Sequence, residues 1–167
     1  DSTFVVAGRD GNREPYGREL VDQMWVASSW ANDGAIEDDW GIIKVDNNFR
    51  NGYKRFGSGF WGPGTKILSL GYPSDGSGKQ YATSGSISKR SPLHLYYSED
   101  TSLNDGNSGG PVFNPRKEIR AIVSGGTRTC VSWFFSWCIT SIPVNFFMPI
   151  TSAHYTGMCG VLPNSVC

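Results

Sequence analysis

Short apolar runs separated by turn-forming residues set the pattern of this chain. Thr3–Ala7 (TFVVA), Gln23–Ala27 (QMWVA) and Trp40–Val45 (WGIIKV) concentrate β-branched and aromatic side chains over the length of a strand. The stretch GRDGNREPYG closes the first run as a turn-rich segment. Residues 46–64 are rich in Gly, Asn and aromatics and read as a connector. Beyond it come Thr65–Leu70, Gln80–Ile87, Leu93–Tyr97, Pro111–Phe113, Ile119–Val123 and Ile139–Val144. In Asn145–Tyr155 the apolar spacing is mixed and Pro149 disfavours a helix interior, so a short terminal helix beginning near Pro149 is expected. No repeat period is visible. The pattern predicts an all-β protein with a strand group over 1–50, a connector over 51–64 and a second strand group with the helix over 65–167.

The strand counts are unequal. The group after Gly64 has enough strands to close a small barrel, whereas the group before the connector would leave an exposed apolar edge. Composition agrees with a turn-rich β protein: 21 glycines, 9 prolines and 13% aromatic residues among 167 positions. Fifteen basic and fifteen acidic side chains cancel, so no bulk field favours nucleic acid or an anionic membrane. No apolar run approaches the roughly 18 residues of a membrane span. The chain starts at Asp1 rather than Met, which reads as processing or trimming.

Cys130, Cys138, Cys159 and Cys167 show no CxxC or His/Cys grouping, so no metal site is expected and disulfides are. Of the internal pairings open to four cysteines, the local one, Cys130 with Cys138 and Cys159 with Cys167, would staple two short loops; a bond to another chain is also open. Disulfides point to a secreted protein.

The strongest chemical signal is Asp105-Gly106-Asn107-Ser108-Gly109-Gly110-Pro111-Val112. A serine hydroxyl is a poor nucleophile until a base takes its proton and an oxyanion site receives the developing charge. Glycines beside the serine let the backbone turn so that two amides, Gly106 N–H and Ser108 N–H, serve one oxygen. The plainer reading is a glycine-rich turn before a strand. GNSGGPV resembles the active-serine motif of chymotrypsin-like, trypsin-fold serine proteases. LSLGYPSDGSGKQYATSG, LYYSEDTSLNDGNSGGPVF and AIVSGG together resemble the V8-like, glutamyl-endopeptidase-related branch. The resemblance runs from Phe4 to the terminal helix. It implies a double β-barrel with the active site between barrels, the first barrel being incomplete here, and no cofactor.

The same resemblance assigns further residues. Asp38-Asp39-Trp40-Gly41-Ile42-Ile43-Lys44 is similar to the segment carrying the triad acid, which makes Asp39 the acid and Asp38 its exposed neighbour. A carboxylate at the mouth of an apolar strand can hold an imidazole in one tautomer. No histidine precedes Asp39, and neither His94 nor His154 stands at a base position. The expectation is a two-chain protein whose N-terminal light chain carries the catalytic histidine. Thr101, Ser102, Val123, Ser124 and Gly126 would line the substrate site, with the Ser124 and Gly126 backbone pairing with an extended peptide. Val123 stands where glutamate-specific relatives have a histidine, so a neutral or apolar pocket is expected. Asn107 replaces the aspartate that trypsins use to bind a new N-terminus. The cystine-bounded stretch with Trp133, Phe134, Phe135 and Trp137 reads as an apolar subsite, a light-chain contact, a plug or local packing. A secreted serine endopeptidase is the leading reading. The alternatives are a catalytically inactive homologue serving as a binding or regulatory subunit, and a structural or carbohydrate-binding protein.

Overall fold

The described strands form two sheets, one of three strands and one of seven. The structure, a computed structural model, describes residues 2–47, 49, 54–59, 61–90, 96–98, 101, 103–134 and 137–161, with the backbone alone for 96, 97, 127–134, 137–146 and 161. In the first sheet β1 (Phe4–Val6) pairs with β2 (Arg18–Val26), and β2 pairs with β3 (Gly41–Val45), both antiparallel. β2 begins at Arg18, not Gln23, because Arg18, Glu19 and Leu20 lie opposite Val6, Val5 and Phe4.

Between β2 and β3 the chain makes two turns of helix that the apolar pattern did not disclose. They are α1 (Ser28–Asp33) and a 3-10 turn, Ile36–Asp38. Gly34 ends α1 in the left-handed region at φ 66°, where its N–H reaches Trp30 O. So short a helix is not stable by propensity and is held by its surroundings.

The second sheet has the order β5-β4-β8-β9-β10-β7-β6. Its strands are β4 (Lys66–Gly71), β5 (Tyr81–Ser86), β6 (Lys89–Arg90), β7 (Tyr96–Ser98), β8 (Pro111–Phe113), β9 (Ile119–Phe134) and β10 (Trp137–Pro149). The helix α2 (Ser152–Val161) follows. It starts after Pro149, which is the last residue of β10 and not part of the helix.

β9 and β10 form one antiparallel ribbon of 16 and 13 residues, far longer than the runs Ile119–Val123 and Ile139–Val144 suggest. Gly125 and Gly126 do not end β9. Register shifts absorb the irregularity while the β-branched residues beyond continue the ladder. Cys130 and Cys138 occupy positions on this ribbon. Cys159 lies on α2 and is disulfide-bonded, and Cys167 lies outside the described residues.

The core sits on one face of the second sheet. Ile67, Ile87, Val112, Ala121, Val123 and Phe147 form a buried cluster, with Trp61 and Leu103 packed against it. On β4 the alternation is plain: Ile67, Ser69 and Gly71 point inward, and Lys66 and Leu68 outward. The buried Ser69 hydroxyl donates to Pro111 O at 3.2 Å, which satisfies it. Part of the connector is tied to the same sheet: Gly57 N–H bonds Ile119 O, and the Arg120 guanidinium bonds Ser58 O and Glu118. That guanidinium, with Asn114, holds the Glu118 carboxyl below its ordinary pKa. No helix among the described residues is long and apolar enough to cross a membrane.

The first sheet is covered differently. Met24 and Ile43 are directly opposite each other and are 61% and 53% exposed; Leu20 and Phe4 form a second exposed pair, and Val26 is exposed beside Gly41. Truncating Phe147, which has no exposed surface, is expected to lower stability by about 3–5 kcal/mol. Leu68→Ala, at an exposed position, is expected to cost no more than roughly 1 kcal/mol. Urea unfolding of the two variants beside the parent protein checks the contrast.

Candidate active site

The Ser108 turn is pinned from two directions. Gly109 N–H donates to Val123 O at 2.8 Å and Val123 N–H to Gly110 O at 2.9 Å, which docks the turn on β9. On its other flank Ser74 N–H donates to Asp105 O at 2.7 Å, which joins the turn to the Gly71-Tyr72-Pro73 segment. Gly106 adopts φ 94°, and a Cβ there would lie 2.6 Å from Tyr72 O and 2.7 Å from Ser74 N. Glycine is therefore required at 106 by both conformation and space. Burial raises the pKa of the Tyr72 phenol, in the neighbouring segment, above its ordinary value.

Asn107 is buried and turned inward, its backbone and side-chain N–H groups both reaching Asn104 O, at 3.2 and 3.0 Å. A neutral amide satisfied within its own loop fits the position without any ion pair. Among the described residues, neither Gly106 N–H nor Ser108 N–H donates to a protein acceptor. The turn thus offers two amide donors beside one hydroxyl.

Ser124 connects this turn to the first sheet. Val123 faces Phe147 and Gly125 faces Phe146, so Ser124 is the extra residue of a register shift on β9. Such bulges re-aim a side chain. The Ser124 carbonyl lies 3.4 Å from Ser108 Oγ, a long contact, while the Ser124 hydroxyl donates to Asp39 Oδ2 at 2.6 Å. One residue therefore touches both Ser108 and Asp39.

Asp39 owes its placement to a tight local turn. Trp40 N–H reaches back to Asp38 O at 2.7 Å, and Asp39 between them has φ −71° and ψ 69°. Those angles are those of an inverse γ-turn. Asp39 and Ser108 line the same cleft of about 330 Å³, with Trp30, Trp40 and Val123 among its walls. No described histidine lines it.

His154 is occupied elsewhere: its Nε2 lies 3.0 Å from Asp38 Oδ1 and its Nδ1 2.9 Å from Pro149 O. His94 lies outside the described residues. Asp38, expected as an exposed neighbour, is instead half-buried and also accepts a hydrogen bond from Ser29 Oγ at 2.5 Å. No local pattern signals this pairing, because His154 is far away along the chain and Ser29 belongs to an unforeseen helix.

Of the expected substrate residues, Val123 lines the cleft, Thr101 is buried and Gly126 is exposed on β9. Ser102 lies outside the described residues, as does Cys167. The hydroxyl of Ser124 is a functional group that sequence reasoning missed, having considered only its backbone. Among the described residues there is no His, Cys, Asp and Glu cluster fit for a metal ion.

A family described as a trypsin-like peptidase domain matches residues 3–122. Solved structures that resemble the chain include a Glu endopeptidase in complex with MPD, with TM-score 0.76 and 24% identity, covering 94% of this chain and 70% of that one. The protease Anisep from Arthrobacter nicotinovorans has TM-score 0.66 and 14% identity, covering 93% and 72%. A thermostable serine protease, AL20, from an extremophilic microorganism has TM-score 0.63 and 14% identity, covering 90% and 72%. A comparison with curated protein sequences gives no significant match.

Removing the Ser124 hydroxyl takes a charge-assisted hydrogen bond from the part-buried Asp39 carboxylate. Ser124→Ala is expected to lower stability by about 1.5–3 kcal/mol, read by urea unfolding.

Proposed function

Since the chain belongs to the trypsin-like peptidase domain family, we propose that it is the larger part of a serine endopeptidase that cleaves peptide bonds through an acyl-enzyme on Ser108. The observation that carries the reading is Ser124, bonded to Asp39 and in contact with Ser108 across a cleft they share.

In this mechanism Ser108 Oγ attacks the peptide carbonyl while an imidazole removes its proton. Asp39 orients that imidazole and stabilises its charged form. The carbonyl oxygen, now negative, is received by the Gly106 and Ser108 amides, each such donor contributing on the order of 3 kcal/mol to the transition state. The imidazolium then protonates the leaving amine. Water, deprotonated by the same imidazole, releases the acyl group. No metal or organic cofactor enters any step.

The imidazole comes from a separate N-terminal light chain. Two observations support this reading. The cleft between Ser108 and Asp39 has room for a ring that no described residue fills, and the first sheet keeps Phe4, Leu20, Met24 and Ile43 exposed in cross-strand pairs. An apolar face of that kind fits a covering segment. The substrate is an extended peptide added alongside β9 at Ser124 and Gly126, with its primary side chain near Thr101, Ser102 and Val123. A pocket floored by Val123 suits an uncharged side chain. A local pairing of Cys130 with Cys138 and Cys159 with Cys167 would suit an oxidising, extracellular compartment.

The absence of a histidine among the described cleft residues favours a second reading: an inactive homologue that binds peptides or a partner. Active-site labelling separates the two. A peptidyl diphenyl phosphonate is expected to modify Ser108 in the native protein, with no label in Ser108→Ala and labelling slowed on the order of 10⁴-fold in Asp39→Asn. An unlabelled native protein would favour the inactive homologue. Intact-mass measurement with and without reductant tests the second chain; a lone, folded, monomeric 18.3 kDa species rules it out.

A further inference from the structure

We infer that His154 is a positioning residue: through Asp38 it fixes the turn that aims the Asp39 carboxylate at the cleft. The inference rests on the peptidase reading for its consequence in catalysis, but its geometry stands apart from that reading.

Asp38 is held on both carboxylate oxygens. Ser29 Oγ, on α1, donates to Oδ2 at 2.5 Å, and His154 Nε2, on the first turn of α2, faces Oδ1 at 3.0 Å. His154 is itself fixed. Its side chain is only 11% exposed, Nδ1 lies 2.9 Å from Pro149 O, its backbone N–H meets Thr151 Oγ1 at 3.2 Å, and its ring leans on Trp40 with centroids 6.4 Å apart. Thr151 N–H also lies 3.3 Å from Nδ1, a further contact that fixes the ring.

The consequence lies one residue on. Asp38 O accepts the hydrogen bond that closes the γ-turn around Asp39, so holding the Asp38 side chain holds the first peptide of that turn. Glu37, Asp38 and Asp39 form an acidic run, and His154 is the one partner of basic type bonded to it among the described residues. Without the imidazole, Asp38 keeps a single hydroxyl partner. The turn is then free to swing, and Asp39 loses its fixed approach to the Ser124 hydroxyl. A shift of about 1 Å at an orienting group is enough to slow a reaction roughly 100-fold.

The test uses the assembled protein and two kinds of readout. In His154→Leu the maximal rate of phosphonate labelling at Ser108 is expected to fall about 10- to 100-fold with the half-saturating concentration unchanged, and His154→Gln, which keeps a donor toward Asp38, is expected to recover most of it. In crystals of His154→Leu, Asp39 Oδ2 is expected to leave the Ser124 hydroxyl. An Asp39–Ser124 contact unchanged in that variant, or equal labelling rates, overturns the inference. If the parent protein does not react with the phosphonate, the peptidase reading fails, and the crystallographic distance still decides the role of His154. Should His154→Leu not fold, Asp38→Ala releases the same clamp from its other side, and an undisturbed Asp39 there is equally fatal.

Discussion

Two consecutive carboxylates, gripped from different parts of the molecule, hold the site together. Asp38 is bound by α1 and α2, and Asp39 by the bulge of β9. The contacts from His154 and Ser124 join the region of the three-stranded sheet to the C-terminal part of the chain, and both are polar. Hydrogen bonds to charged groups are among the stronger ones in proteins, and they are directional. They fix an angle as well as a distance, which is what a site divided between two sheets requires. The γ-turn at Asp39 is the point where both grips meet.

The serine turn relies on a different device. Its backbone is shaped by Gly106 and docked on β9 through Gly109, Gly110 and Val123, with Asn107 satisfied inside the loop. No charge is buried there. Among the described residues, the amides of Gly106 and Ser108 have no protein acceptor. Polar groups rarely stay unpaired, and here the loop's own geometry keeps them so.

Much of this was legible from residues alone. The apolar runs located the strands, since alternation and β-branched content report directly on a pleated, half-buried surface. The GNSGGPV stretch identified the turn, because its glycines state which backbone angles are needed. The missed features all depended on tertiary context. The apolar run stops at Val123, but β9 continues through Gly125 and Gly126 by way of a bulge. Ser28 and Ser29 give a weak helix signal, and α1 exists because its neighbours hold it. Asp38 reads as an exposed turn residue until α2 brings His154 to it. Nothing local in Ser124 reveals which way a bulge will point its hydroxyl. Sequence reports what a segment prefers, and long-range pairs decide where such preferences are overruled.

The fit of Gly106 against Tyr72 and Ser74 has a further consequence, for how such a chain can diversify. Turn and loop meet backbone to backbone, so neither presents a side chain whose replacement could compensate a change in the other. Drift at this junction has nowhere to go, and the oxyanion turn passes intact or fails outright. The β9–β10 ribbon is under no such restriction, since its outer reach extends well past the buried cluster. New preferences for what is bound can accumulate along that ribbon while the chemistry beside it stays the same.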